Sequence, residues 1–126
     1  MTLFSALRKI REFERGQLPF LCSITDFDIV IEIGHAEEQQ RPLTLKQVLL
    51  LNLGSRTTVR RRLAMLIEGG IVRRRKNAND QRSSLLTISA SSLKLLGKYG
   101  GLLTSISVDA QSNPSAGRAD KALRRL

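Results

Sequence analysis

The chain has 126 residues and a formal net charge of +10, which suits one domain with a single core and points to a polyanionic partner such as nucleic acid or an anionic surface. One cysteine, Cys22, and one histidine, His35, exclude an intramolecular disulfide and the usual zinc sets, and fit a reducing compartment. No apolar run approaches the roughly 20 residues that span a bilayer, and the N-terminal residues mix charge with apolar side chains and have no signal-peptide core, so a cytoplasmic protein with no membrane contact is expected.

The charge is concentrated. Residues 55–82 hold nine basic side chains against Glu68 and Asp80, so this segment carries seven of the ten net charges, whereas residues 1–54 hold six basic and seven acidic groups. A localised contact surface is expected, not a uniformly basic protein.

In chain order, residues 2–15 place Leu3, Leu7, Ile10 and Glu14 on one helical stripe, with Phe4 and Phe13 beside it; Gly16 and Pro19 stop the helix. Two readings stand for it: packing on a partner subunit, or covering its own domain. Ser23 and Thr25 offer caps for a second helix over Ile24 to Ala36, with Asp26 and Asp28 in its first turn, where the helix dipole favours acids. The stripe Ile24, Phe27, Ile31 and Gly34 favours helix over strand, and Gly34 with the polar run Glu37 to Arg41 ends it. Pro42 keeps Leu43 extended. Thr44 and Gln47 form a capping box for a short apolar helix, Leu45 to Leu51. Asn52-Leu53-Gly54 is a tight turn, and Ser55 caps the next helix, so the two helices make a helix-turn-helix.

The helix Arg56 to Glu68 buries Val59, Leu63, Leu66 and Ile67 on one face. Thr57, Thr58 and Arg61 project opposite, with Arg60 and Arg62 on the flanks. Hydroxyls and guanidiniums opposite a buried stripe suit a DNA major groove, because arginine donates two hydrogen bonds to guanine and threonine bonds base edges or meets a thymine methyl. A plain solvated basic face is the alternative for this helix alone. Gly69-Gly70 supplies the positive-φ stop. Ile71 to Arg75 and Ser84 to Ser89 are strands joined by the turn residues Lys76 to Asp80, a basic hairpin that serves as a wing. Ser89 caps a last helix, about Ala90 to Leu103, carrying Leu93, Leu96, Tyr99, Leu103 and Ile106 at helical spacing; Gly97, Gly100 and Gly101 weaken it and favour a bend near Tyr99. Residues 109–126 read as a disordered basic tail.

The fold class is therefore mainly α with a small β-hairpin, a winged helix-turn-helix with flanking helices over 1–108. Residues 43–96 resemble the winged helix-turn-helix domain of the MarR family of transcriptional regulators. The likeness lies in Ser55 to Leu63, in Leu66-Ile67-Glu68-Gly69-Gly70-Ile71-Val72-Arg73-Arg74, and in Asp80-Gln81-Arg82-Ser83. The resemblance implies a homodimer on a near-palindromic double-stranded DNA operator. It places Ser55, Arg56, Thr57, Thr58, Arg60 and Arg61 at the major groove, and Arg74, Arg75, Lys76 and Arg82 in the wing. Arg62, on the flank of the same helix, joins the candidate DNA-binding set. Asp80 is expected to pair with an arginine and fix the hairpin. The chain is short for the family, and no cluster identifies an effector pocket; a small-molecule effector is left open.

Cys22 reads as a small buried hydrophobe, with a redox thiol as the alternative. His35 reads as a helix-end residue, and Asp26 and Asp28 as capping charge. No phosphate-binding glycine loop, metal set or catalytic constellation is present in the sequence, so no enzyme activity and no cofactor are expected. The leading function is a sequence-specific DNA-binding regulator, dimeric through residues 2–15 and 90–106. The alternatives are an architectural or plasmid-maintenance nucleic-acid binder and a protein-interaction module.

Overall fold

A computed structural model describes residues 2–112, with 107–112 described by backbone alone. The elements are α1 (Leu3–Gln17), α2 (Ile24–Glu38), α3 (Leu45–Leu50), α4 (Arg56–Glu68), β1 (Val72–Lys76), β2 (Ser84–Ile88) and α5 (Ala90–Ser112). The architecture is mostly helical with one antiparallel hairpin, as the sequence predicts. The chain divides into two compact units, Phe20–Leu93 and a second formed by α1 with α5 from Lys94 onward.

The core of the first unit joins Ile29, Val30 and Ile33 of α2, Val48 and Leu49 of α3, Val59, Leu63 and Leu66 of α4, and Val72, Leu86 and Ile88 of the hairpin. Burying each such side chain contributes about 1.5–3 kcal/mol. The hairpin register pairs Val72 with Ile88, Arg74 with Leu86 and Lys76 with Ser84. The Ser89 N–H closes its base on the Ile71 carbonyl at 2.9 Å. On the outer edge of β2, the Leu86 N–H donates to the Leu43 carbonyl at 2.8 Å, and Thr44 bridges Leu85. The next edge donor, the Ile88 N–H, finds the Glu37 carboxylate at 3.1 Å. Extended residues 43–44 and the end of α2 thus cap a strand edge that would otherwise carry unpaired amides.

The predicted caps form. The Ser23 Oγ accepts the Asp26 N–H, Thr44 and Gln47 complete the capping box, and the Ser55 and Ser89 hydroxyls accept the Thr58 and Ser92 N–H groups. Gly70 takes a φ of 78° after α4. In the α3–α4 turn the left-handed residue is Asn52, at φ 57°, and not Gly54.

Other expectations are corrected. α2 passes through Gly34 and ends at Glu38, with Gln40 at φ 60° reversing the chain. Gly34 faces Ile88 of β2 instead of stopping the helix. The buried face of α2 is Asp26, Ile29, Val30 and Ile33, whereas Ile24 is 81% exposed and Ile31 is also exposed. The stripe is rotated because a buried carboxylate occupies one of its positions. α3 ends at Leu50, and β1 begins at Val72 and extends to Lys76. α5 runs to Ser112, past the predicted end at Leu103 and the predicted linker start. Three glycines at about 1 kcal/mol each do not end it, since a weak propensity acts only where the rest of the segment is also poor. The remainder of the predicted tail, 113–126, lies outside the described residues.

In the second unit the Phe13 and Tyr99 rings stack with centroids 5.7 Å apart. The Tyr99 hydroxyl donates to Glu14 Oε2 at 2.7 Å, and Arg11 donates to Glu14 Oε1 at 2.9 Å. Phe4, Leu7 and Leu103 are exposed.

Candidate nucleic-acid interface

The orientation of α4 follows from what it buries. Val59, Leu63 and Leu66 face the core, so Thr57 and Arg61 face outward, and both are exposed. Ser55 and Thr58 are bound to each other as well as to the backbone. The Ser55 Oγ donates to Thr58 Oγ1 at 2.9 Å, which occupies part of the hydrogen-bonding capacity of both hydroxyls. Arg56 and Arg60 lie on the flank toward α3. With Leu45, Lys46, Leu49 and Leu50 they line a groove of about 320 Å³. Sequence reasoning misses Lys46 because its helix reads as an apolar core element. The available signal is its charge in the first turn of an otherwise apolar helix, where Leu45, Lys46 and Gln47 are all exposed.

Arg62 departs from the predicted set. It lies on the opposite flank, toward α2, where its Nε and Nη2 donate to Asp26 Oδ1 and Oδ2, both at 2.7 Å. Only 18% of its side chain is exposed, and none of that of Asp26. The Cys22 N–H donates to Asp26 Oδ2 at 2.8 Å. Burial raises the Asp26 carboxyl pKa, but the bonds from Arg62 and Cys22 outweigh it and hold the group below its ordinary value. The Arg62 pKa is raised, first through its bond to Asp26. This pair fixes α4 on α2. Asp26 is therefore not a simple capping charge, and Cys22, expected to be buried, is exposed.

The hairpin register divides the wing's cations. Residues paired across strands share a sheet face, so Val72, Arg74 and Lys76 lie on the face of the buried Leu86 and Ile88. Arg73 and Arg75 lie on the other face, with Thr87 and Leu85. The structure therefore does not bring Arg75 together with Arg74 and Lys76, although all are exposed. At the tip, Asn77 Nδ2 donates to the Ser83 Oγ at 3.0 Å, the Asn79 N–H donates to Asn77 Oδ1, and the Arg82 N–H donates to Asp80 Oδ1 at 2.9 Å. Asp80 thus shapes the turn through a backbone amide and not through the expected arginine ion pair. Among the described residues, the ion pairs are Arg8–Glu12, Arg11–Glu14 and Arg62–Asp26. Within that set, the cations of α4 other than Arg62, and those of the wing, have no carboxylate within 4 Å.

Among the described residues no group of three or more His, Cys, Asp or Glu side chains is placed to hold a metal ion. No helix among them is long and apolar enough to cross a membrane.

No protein-family model and no curated protein matches the sequence. Solved structures do match the fold. The crystal structure of a MepR–DNA complex from S. aureus aligns over 96% of this chain and 98% of that one, with a TM-score of 0.69 and 17% identity. The transcriptional regulator Tm0710 from Thermotoga maritima aligns over 94% and 84%, with a TM-score of 0.63 and 18% identity. MarR aligns over 98% and 89%, with a TM-score of 0.58 and 13% identity. The fold is a winged helix. Its particular form, with α1 and α5 flanking the helix-turn-helix and hairpin, is the MarR-like one.

Proposed function

We propose that the protein is a sequence-specific, double-stranded-DNA-binding transcriptional regulator. The observation that carries this reading is the outward face of α4 together with the wing, where arginines without carboxylate partners among the described residues sit on a frame held rigid by Asp26–Arg62. In this reading Thr57 and Arg61 read base edges in the major groove. Arg56 and Arg60 lie beside them, and Ser55, which accepts the Thr58 N–H, caps the helix end that enters the groove. Arg74, Lys76 and Arg82 reach the adjacent backbone or minor groove. Arg75, on the other wing face, completes the wing set, and Arg74→Ala compared with Arg75→Ala on the same duplex tells which face meets DNA. Arg62 positions the helix without touching DNA. The fold shared with MepR in its DNA complex supports this reading.

The active form is a homodimer in the cytoplasm, built through α1 and α5. Phe4 is 77% exposed and Leu7 and Leu103 are also exposed, apolar surface that association would cover. The protein acts without catalysis and without a cofactor. The test is selection of bound sequences from a random duplex pool at physiological salt. A recovered inverted repeat supports a dimeric sequence reader, and Thr57→Ala or Arg61→Ala then weakens operator binding by about 1–3 kcal/mol for each specific base interaction it removes. Tight binding with no enriched sequence supports an architectural binder instead. Absence of duplex binding supports a protein-interaction module.

A further inference from the structure

We propose that the groove between α3 and α4 seats one phosphodiester of the DNA backbone in each protomer, with Lys46 and Arg60 as its principal ligands. The proposal rests on the DNA-binding reading and assigns a residue, Lys46, that neither the sequence motif nor the outward face of α4 includes. The groove is amphipathic. Its apolar side is Leu45, Leu49 and Leu50, of which Leu45 is 38% and Leu50 59% exposed. Its polar side is Lys46, Arg56 and Arg60, and none of these has a carboxylate partner within 4 Å among the described residues. A sugar-phosphate unit matches both sides, since its anionic oxygens meet the cations and the C–H faces of its deoxyribose meet the leucines.

The location selects the same occupant. Arg60 precedes Arg61 on α4, and Arg56 precedes Thr57, so the groove borders the outward face along its length. A duplex held by Thr57 and Arg61 must carry a strand past this flank. Lys46 is also held firmly. Its helix begins at the Thr44–Gln47 capping box, and Leu43 and Thr44 are tied to β2 through Leu86 and Leu85. The backbone at Lys46 is therefore tied to the wing strand β2. A backbone phosphate fixed at Lys46 sets how far α4 sits along the major groove, so Lys46 and Arg60 position while Thr57 and Arg61 specify.

The experiment measures binding of wild type, Lys46→Gln, Lys46→Arg and Arg61→Ala to operator and to random duplex across a salt series. Lys46 is exposed and makes no ion pair among the described residues, so its variants are expected to keep the wild-type melting temperature. Lys46→Gln is expected to weaken operator and random duplex by the same factor. It is also expected to lower the slope of log K against log salt by about 0.9 for each bound protomer. Lys46→Arg retains both, and Arg61→Ala loses operator preference. An unchanged affinity and slope in Lys46→Gln, or a loss confined to the operator, overturns the seat while leaving the DNA-binding reading intact. Failure of the wild type to bind any duplex overturns both.

Discussion

The pair between Asp26 and Arg62 makes the most direct test of how α4 is held. Arg62→Met removes one partner and keeps most of the side-chain bulk. The carboxylate of Asp26 then stays fully buried, loses both bonds from Arg62 and keeps the Cys22 N–H. Stranding a buried charge costs about 3–5 kcal/mol, and the low end applies because the mouth of the site at Arg62 is 18% exposed and admits water. About 3 kcal/mol is therefore expected for the stranded Asp26 in urea unfolding near neutral pH. Asp26→Asn is milder, since the amide oxygen still accepts from Cys22 and the released guanidinium can turn to solvent. The double variant Asp26→Leu/Arg62→Met recovers most of the loss. The pH dependence gives a second readout. The Asp26 pKa is lowered in the folded wild type, so the pair's stability is present above the unfolded carboxyl value of 3.8 and is lost as pH falls through the folded value. Arg62→Met removes both lowering effects of Arg62 while burial remains, so Asp26 takes up its proton at a higher pH than in wild type and protonation relieves that variant. The gap between wild type and Arg62→Met must close in acid. An Arg62→Met protein within about 0.5 kcal/mol of wild type, or a gap that does not change with pH, refutes this account.

Glu37→Ala leaves the Ile88 N–H at the edge of β2 without its acceptor and is expected to cost about 1–2 kcal/mol in denaturant unfolding, with Glu37→Gln costing less. Ser55→Ala removes the α4 cap at about 1 kcal/mol and should speed hydrogen exchange at the Thr58 amide; unchanged protection there would mean that the cap is not the anchor. Tyr99 is the single tyrosine in a chain without tryptophan, so an ultraviolet titration reports it alone. Burial and then the bond to Glu14 push its pKa up to about 12, so the stability it provides is present below about 10 and is lost as pH rises through about 12. A tyrosinate midpoint near 10 in the folded protein would show that the Tyr99–Glu14 link is not made.

What the sequence discloses here is set by range. Caps, the glycine stop after α4, the capping box and the hairpin depend on residues a few positions apart, and Thr44, Gln47, Ser55, Gly70 and Ser89 all do what their local chemistry predicts. The contacts that orient these pieces are not local. Asp26 meets Arg62 across 36 positions and Glu37 meets Ile88 across 51. Periodicity counts apolar residues, so it places the buried face of α2 on Ile24 and Ile31 and misses Asp26. The same rule treats Lys46 as incidental to an apolar helix, because no local pattern reveals that Arg56 and Arg60 will stand across from it.

The run Arg60-Arg61-Arg62 carries this distinction in three consecutive residues. As sequence it is one block of positive charge and invites one role. On a helix each residue turns by about 100° from the last. Burial of Val59, Leu63 and Leu66 fixes the starting angle, so the three guanidiniums take three directions: Arg60 into the groove with α3, Arg61 outward, and Arg62 onto Asp26. The groove needs a cation without a carboxylate beside it, and the inner flank needs one that has such a partner. Exchanging the environments of Arg60 and Arg62 would fail on both sides, because a charge partnered within the protein has less to offer a phosphate and an unpartnered one cannot remain against a closed core. Positive charge in this segment is thus divided between holding α4 in place and presenting it, and the division is made by the core residues that flank the arginines.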